Sequence, residues 1–176
     1  MADKNMFLKT YSFYGKHADM VEELCSVFDE DSGSRVFSTF IDLFVISAFV
    51  GVKNNHKSKP SVDKSKSKSI FAEQFNSHSD EVHLAFKFVT LLGNKEQFDD
   101  VTRLNKTFRN PETDENYDQF EQYMLGGLED IYNQILASKP KTYLDYLQSV
   151  NSFLDNFKET KIEDDSAVPD ANDLFD

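Results

Sequence analysis

The sequence predicts an all-α fold, organised as a single-domain bundle of five or six helices. From residue 17 onward, apolar residues recur at intervals of three and four, which is the spacing of one face of an α-helix. The chain also holds 17 Phe and 7 Tyr but no Trp, and Phe needs no polar partner when it is buried. Its 176 residues suffice for one hydrophobic core of ordinary size and are too few for two large ones.

The first elements differ in how much of their surface is apolar. Residues 6–14 alternate in type and predict a short strand or an extended arm. Residues 17–28 carry one apolar helical stripe, and Cys25 lies on it, so we predict that this thiol is a buried core group.

After a loop at residues 29–34, residues 35–50 form the predicted central helix, with Ser34 as its N-cap. The first half of this helix is amphipathic and the second half is apolar on all sides. Asp42 is a charge within it, and we expect a buried or half-buried pair with Arg35 or another cation.

Residues 53–69 are rich in Lys, Ser and Asn. They lack a periodic apolar face, so burial cannot offset the entropy lost on ordering them, and we predict a mobile basic loop. Periodicity then predicts further helices, at residues 79–92, 96–108, 114–137 and 142–157.

Two of these later helices carry features that bear on packing. In the helix at 96–108, the apolar stripe comprises Phe98, Val101, Leu104 and Phe108, and we expect it to face the core. The helix at 114–137 is expected to pack across the central helix. Its Gly126-Gly127 pair costs about 1 kcal/mol per Gly relative to Ala, so it indicates close packing of another backbone or a kink.

The helical domain is therefore expected to span residues 1–159, followed by an acidic tail at 160–176. The tail loses the helical periodicity, so we predict that it is disordered. Leu174 and Phe175 lie among its acids, a composition typical of segments that dock into a basic, hydrophobic groove of a partner. An inert solubilising tail is the alternative.

No residue cluster has the spacing of a common catalytic or metal site, so we predict no catalytic residue, no metal ligand and no cofactor. The single cysteine excludes an internal disulfide and suits a reducing compartment. The N-terminal residues do not resemble a secretory signal, and the longest apolar run is too short to span a bilayer. The sequence therefore predicts a cytoplasmic protein without membrane contact.

Two basic segments are the candidate binding sites, although the formal net charge of the chain is −12. Three interpretations stay open for them: a solvated loop, a nucleic-acid contact through phosphates, or a contact with an acidic protein. The residues concerned are Lys53, Lys57, Lys59, Lys64, Lys66 and Lys68 in the loop, and Arg103, Lys106 and Arg109 on one helix.

Two segments resemble a known group of sequences. The first is an apolar helix that ends in Gly before a basic turn, FIDLFVISAFVGVKNNHKSKP. It resembles small helical bacterial proteins encoded near DNA phosphorothioation and phage-defence genes. The second segment is similar to a motif of small bacterial proteins of the same group; it reads RLNKTFRNPETDENYDQFEQYMLGGLEDIYNQI. The resemblance implies an association with such a system and no particular activity.

Three functional hypotheses follow. The first is a non-enzymatic accessory or adaptor protein of a bacterial defence or DNA-modification system that binds a protein partner, and it leaves the formation of homo-oligomers open. The second is a protein that binds nucleic acid directly through the basic segments. The third is an enzyme that uses Asp42, Arg35 and Glu129 in a pocket near Gly126 and Gly127.

Overall fold

The computed structural model describes residues 6–159 and shows a mainly helical chain. The prediction of an all-α fold is corrected by two small two-stranded sheets. Within the described range the helices are α1 (Lys16–Cys25), α2 (Phe40–Lys53), α3 (Ala72–Ser77), α4 (Ser79–Leu92), α5 (Asp100–Phe108), α6 (Asp114–Leu136) and α7 (Tyr143–Glu159), after a 3-10 turn at Met6–Leu8. The strands are β1 (Tyr11–Tyr14), β2 (Val27–Asp29), β3 (Ser34–Arg35) and β4 (Ser67–Ile70). The predicted tail, with Leu174 and Phe175, lies outside the described residues.

The first sheet joins the N-terminal segment to the C-terminal end of residues 53–69, which we call the lysine-rich segment. Strands β1 and β4 are antiparallel, with Tyr11 opposite Ile70 and Tyr14 opposite Ser67. The last residues of the predicted loop therefore form a strand. Their backbone groups are paired by a partner more than 50 residues away, and local periodicity carries no signal of such a pairing.

The second sheet shortens the predicted central helix. Strands β2 and β3 form an antiparallel pair, so Ser34 and Arg35 are in a strand, and α2 begins only at Phe40. Thr39, not Ser34, is the N-cap: its side chain accepts a hydrogen bond of 3.2 Å from the backbone N–H of Asp42.

The predicted ion pair of Asp42 is also wrong, because no cation pairs with this carboxylate among the described residues. The Thr39 hydroxyl instead donates to Asp42 Oδ2 at 2.7 Å. Asp42 lies in the first turn of α2, where a negative charge is favoured by the helix dipole. Its presence in an apolar helix is thus explained by capping.

We expect Thr39→Ala to lower the free energy of unfolding by about 1 kcal/mol, because the cap of α2 is lost. Urea denaturation of the purified protein measures this change. The neighbouring Ser38 is exposed, and Ser38→Ala should change the free energy by less than about 0.5 kcal/mol. Equal effects of the two substitutions would contradict the assigned cap.

The core contains many Phe side chains, as predicted. The ring of Phe44 in α2 lies with its centroid 5.4 Å from Phe75 and 5.5 Å from both Tyr11 and Phe120. Phe44, Phe75 and Phe120 are each at most 2% exposed. The aromatic rings thus join β1, α2, α3 and α6 into one core.

The glycines of α2 and α6 set the closest approach in this core. A Cβ added at Gly127 would overlap the carbonyl oxygen of Ser47, and one at Gly51 would overlap the carbonyl oxygen of Tyr123. A Cβ at Gly126 would meet the carbonyl oxygen of His56. The prediction that the glycine pair packs against another backbone is therefore confirmed.

Candidate functional site

The C-terminal end of the lysine-rich segment is attached to the acidic face of α1. Lys66 Nζ lies 2.7 Å from Asp19 Oδ1, and Lys68 Nζ lies 2.6 Å from Glu22 Oε1. Both pairs join the end of the segment to α1 across a sequence separation of more than 45 residues. These two predicted binding lysines are thus engaged within the chain.

Three more of the predicted lysines lie over aromatic rings of the chain. Such contacts hold the ammonium group near the protein surface. Lys59 is exposed and makes none of these contacts within the described residues. The distances from Nζ to the ring centroid are 3.5 Å for Lys53 over Phe157, 4.7 Å for Lys57 over Tyr123 and 5.5 Å for Lys64 over Tyr14.

A polar cluster around Glu129 of α6 holds the first part of the same segment, at Ser58. Glu129 Oε1 lies 2.7 Å from Lys16 Nζ and 2.8 Å from His17 Nε2, and it also accepts a hydrogen bond from the Ser58 hydroxyl. His17 is 1% exposed. The carboxylate therefore joins α1, α6 and the lysine-rich segment at one point.

The charge states of this cluster follow from its contacts. Burial alone would raise the pKa of Glu129, but hydrogen bonds from Lys16, Ser58 and His17 outweigh it and lower the pKa to about 2 from 4.5. Burial lowers the pKa of His17 below 6.5, and the carboxylate offsets only part of that effect. An ionised Glu129 thus faces a neutral His17 near pH 7.

The cluster contains the residue types of a hydrolytic triad, but its connections differ from those of one. Ser58 and His17 both bond to the same oxygen of Glu129. A nucleophilic serine is instead activated by a base that accepts its proton, with the third group behind that base. The arrangement here fastens three segments together.

The next residue of α6 fastens the turn after α2. Asp130 accepts hydrogen bonds of 2.8 Å from Asn54 Nδ2 and 2.8 Å from His56 Nδ1. Sequence patterns did not indicate these contacts, because Asp130 lies more than 70 positions from each of its two partners.

The second predicted basic segment, on α5, is divided between two roles. Arg103 donates to the backbone carbonyl of Leu91 at 2.8 Å and also pairs with Asp100. Lys106 Nζ lies 2.5 Å from Glu115 Oε2. Arg109 is exposed. Two of the three cations thus hold α5 against its neighbours, and Arg109 is the one left at the surface.

Helix α5 exposes its apolar face to solvent. Val101 is 68% exposed, Leu104 48% and Phe108 61%, whereas the polar Thr107 is buried. The expectation that this stripe faces the core is therefore wrong for these three residues; Phe98, the fourth, lies before α5 and is half-buried. Periodicity defines the two faces of a helix, but the attachment of Arg103 and Lys106 decides which face turns inward.

A second exposed apolar group lies on α4. Leu84 is 61% exposed and Phe88 is 37% exposed, one helical turn apart. The ring centroid of Phe88 lies 5.0 Å from that of Phe49 in α2, and Ile46 of α2 is 41% exposed. Helices α2 and α4 thus also present apolar side chains at the surface.

The pocket expected near Asp42 and the glycine pair does not appear there. The space beside Gly126 and Gly127 is occupied by backbone of α2 and of the segment after it. Open clefts of about 660 Å³ beside α5 and about 400 Å³ between α1 and α2 lie elsewhere on the described surface. Arg35 lines the second cleft, but neither cleft is lined by Asp42 or Glu129.

The remaining candidate groups are structural in their surroundings. Cys25 is buried, as predicted, and burial, with the nearby charge of Asp42, raises the pKa of its thiol to about 12. Residues 6–159 contain no group of three or more His, Cys, Asp or Glu side chains placed to hold a metal ion. None of the helices in that range is long and apolar enough to cross a membrane.

The fold and surface together define a mainly helical domain with an attached basic segment and one helix, α5, whose apolar face is exposed to solvent. The chain belongs to the family described as DNA sulphur modification system-associated protein 4, whose family model matches residues 15–171. This membership confirms the resemblance seen in the two sequence segments. No curated protein and no solved structure matches the chain.

Proposed function

We propose that this protein is a non-enzymatic accessory protein of a bacterial DNA sulphur-modification system, and that it acts by binding a protein of that system through α5. The observation that supports this most is the exposed apolar stripe of Val101, Leu104 and Phe108. Exposing such side chains to water costs free energy, and contiguous apolar surface is typical of sites that bind other proteins.

The charges at the two ends of α5 indicate the chemistry of the partner surface. Asp100 is 84% exposed at the first turn, and Arg109 is exposed just after the last turn. The partner site is therefore an apolar groove that receives one helix, with a basic group at one end and an acidic group at the other.

The alternative of direct nucleic-acid binding has less support. Five of the six predicted lysines contact acidic or aromatic groups of the chain. Affinity for phosphates depends on cations that are free to replace counterions, and the net charge of −12 opposes approach to DNA. Among the described residues, Lys59 and Arg109 are the predicted cations that make no such contact.

Binding between the purified full-length chain and each purified protein of the modification system tests the proposal. We expect the double substitution Leu104→Ser and Phe108→Ser to weaken binding of one such protein at least about 30-fold, since the loss of even one central apolar anchor costs about 2 kcal/mol of binding free energy. Isothermal titration calorimetry gives the affinities.

Leu8→Ser is the matched control, because Leu8 is 62% exposed and lies outside α5. It should leave the affinity within about twofold, a change near 0.4 kcal/mol. Far-UV circular dichroism checks that the variants are folded. Unchanged binding by the α5 variant, or a DNA mobility shift at low salt with no protein partner, would contradict the proposal.

A further inference from the structure

Helix α7 is apolar on two faces. On the inner face, Phe153 is 7% exposed, and Val150 and Phe157 pack against the core. On the outer face, Leu144 is 62% exposed and Leu154 is 45% exposed. A helix that only covered one side of a domain would need no leucines on the outer face.

The outer residues follow a heptad spacing. Leu144, Leu147, Asn151 and Leu154 are separated by three, four and three positions, which is the a, d, a, d pattern of helices that pair side by side. Leu147 is 38% exposed, and Asn151 is exposed between the leucines. The outer face of α7 thus has the pattern of one strand of a coiled coil.

The position of Asn151 distinguishes the possible occupants of this face. In a parallel pair of identical helices each a residue faces the same a residue, so the two Asn151 amides meet and hydrogen-bond to each other. In an antiparallel pair an a residue faces a d residue, and Asn151 would lie against Leu147. The amide would then lose its hydration without gaining a partner, which is unfavourable.

We propose that α7 pairs in parallel with α7 of a second copy of this chain, with leucine layers at 144, 147 and 154 and an asparagine layer at 151. The protein is then a two-fold symmetric dimer whose axis runs along the paired helices. The α5 faces lie on a different helix and stay available in each copy. The inference does not depend on the proposed partner of α5.

The contact between the two α7 helices along residues 144, 147, 151 and 154, here called the seam, sets the expected strength of this dimer by its size. From Leu144 to Leu154 the helix is about 16 Å long at about 1.5 Å per residue, and three leucines per copy bury less than the ~800 Å² per partner of stable interfaces. The net charge of −12 on each chain adds repulsion, which salt screens. We therefore expect reversible association in the range of about 10–100 μM, strengthened at higher ionic strength.

Cross-linking of the full-length protein tests the register. Asn151→Cys places a thiol in an a layer, where the two copies approach within disulfide distance. Under mild oxidation we expect most of this variant to become a covalent dimer. Ser152→Cys is the matched control one position along the exposed surface, and it should form several-fold less. The native Cys25 is buried and should not react.

Sedimentation equilibrium tests the seam without introducing thiols. We expect the wild-type mass to rise with concentration toward that of two chains, and Leu147→Glu with Leu154→Glu to remain monomeric. Leu8→Glu is the control, because Leu8 is exposed outside α5 and α7, and it should dimerise like the wild type. A wild-type monomer at about 300 μM in ~0.5 M salt, or equal cross-linking of the two cysteine variants, overturns the proposal.

Discussion

Gly127→Ala is expected to lower the free energy of unfolding by about 3 kcal/mol, the upper range for overpacking a tight interior. The added methyl group would overlap the carbonyl oxygen of Ser47 and the backbone nitrogen of Gly51. Both are backbone atoms inside α2, so no side chain can rotate away. Relief requires α2 and α6 to separate, which would loosen the core between them.

The sign of this change is diagnostic. In an unobstructed helix, Gly→Ala stabilises by about 1 kcal/mol through helix propensity, so destabilisation reports the contact between α2 and α6. Guanidinium denaturation gives the free energies. Gln134→Ala is the control, because Gln134 is exposed on the same helix and its replacement should change stability by less than about 0.5 kcal/mol. A Gly127→Ala protein as stable as the wild type would mean that α2 and α6 are not packed as described.

Glu129→Ala is expected to lower the free energy of unfolding by about 3 kcal/mol. The substitution removes the shared partner of three groups from a site that is largely buried. His17 is 1% exposed and would lose the acceptor of its Nε2–H. Lys16 and Ser58 would lose the same oxygen. The attachment of the lysine-rich segment to α1 and α6 would weaken as a result.

A surface ion pair provides the control for this substitution. Glu22 pairs with Lys68, and the Glu22 side chain is 56% exposed, so Glu22→Ala should cost less than about 1 kcal/mol. Thermal and urea denaturation of both variants measures the difference. Equal costs for the two substitutions would show that the Glu129 cluster does not act as a fastening point.

The cluster also predicts how stability depends on pH. The folded pKa of Glu129, about 2, lies below the ordinary value of 4.5, so its stabilisation is complete above pH 4.5 and is lost as pH falls toward 2. His17 has a folded pKa below 6.5. It therefore destabilises the fold as pH falls from 6.5 through that lower value, since the unfolded chain binds the proton more readily. Both groups make acid destabilising.

Glu129→Gln tests the carboxylate part of this dependence. Loss of the carboxylate also lowers the pKa of His17 further, so we expect the stability difference between the wild type and Glu129→Gln to hold or widen from about pH 7 to about pH 5. Below about pH 4.5 we expect it to shrink. The urea midpoint, measured at intervals of pH, shows the trend. A difference that did not shrink in acid would contradict a depressed pKa at Glu129.

Several elements could be predicted from local patterns. Helix α4 was predicted at residues 79–92 and α6 at 114–137, close to their observed bounds of Ser79–Leu92 and Asp114–Leu136. Helix periodicity and the stop at Gly93 are both local signals. The glycine pair indicated a close backbone contact or a kink, and the helix at 114–137 was expected to pack across the central helix, as α6 does on α2.

The start of α2 shows where local reasoning failed. Periodicity extended this helix back to Arg35, but Ser34 and Arg35 pair with β2, so their backbone groups are satisfied in a strand. A propensity for helix is weak compared with such tertiary pairing. The same reason explains why Ser67–Ile70 was predicted as part of a loop.

The candidate sites divide in the same way. The basic residues were visible in the chain, but their engagement with Asp19, Glu22 and aromatic rings depends on long-range contacts. Glu129 was named only as an alternative catalytic group, since its partner His17 lies 112 positions away. The apolar stripe of α5 was correctly identified, and its direction was not.

Spacing and composition along the chain were enough to predict a helical domain, a buried thiol, and a close backbone contact or a kink at the glycine pair, because each depends on near neighbours or on residue type. Two segments also carried the resemblance to the family. Only the three-dimensional packing decided that α5 turns its apolar face outward and that one carboxylate joins α1, α6 and the lysine-rich segment. The physical reason is that burial and pairing are properties of surfaces brought together by folding. A helix with two distinguishable faces has no local preference for which of them meets the core.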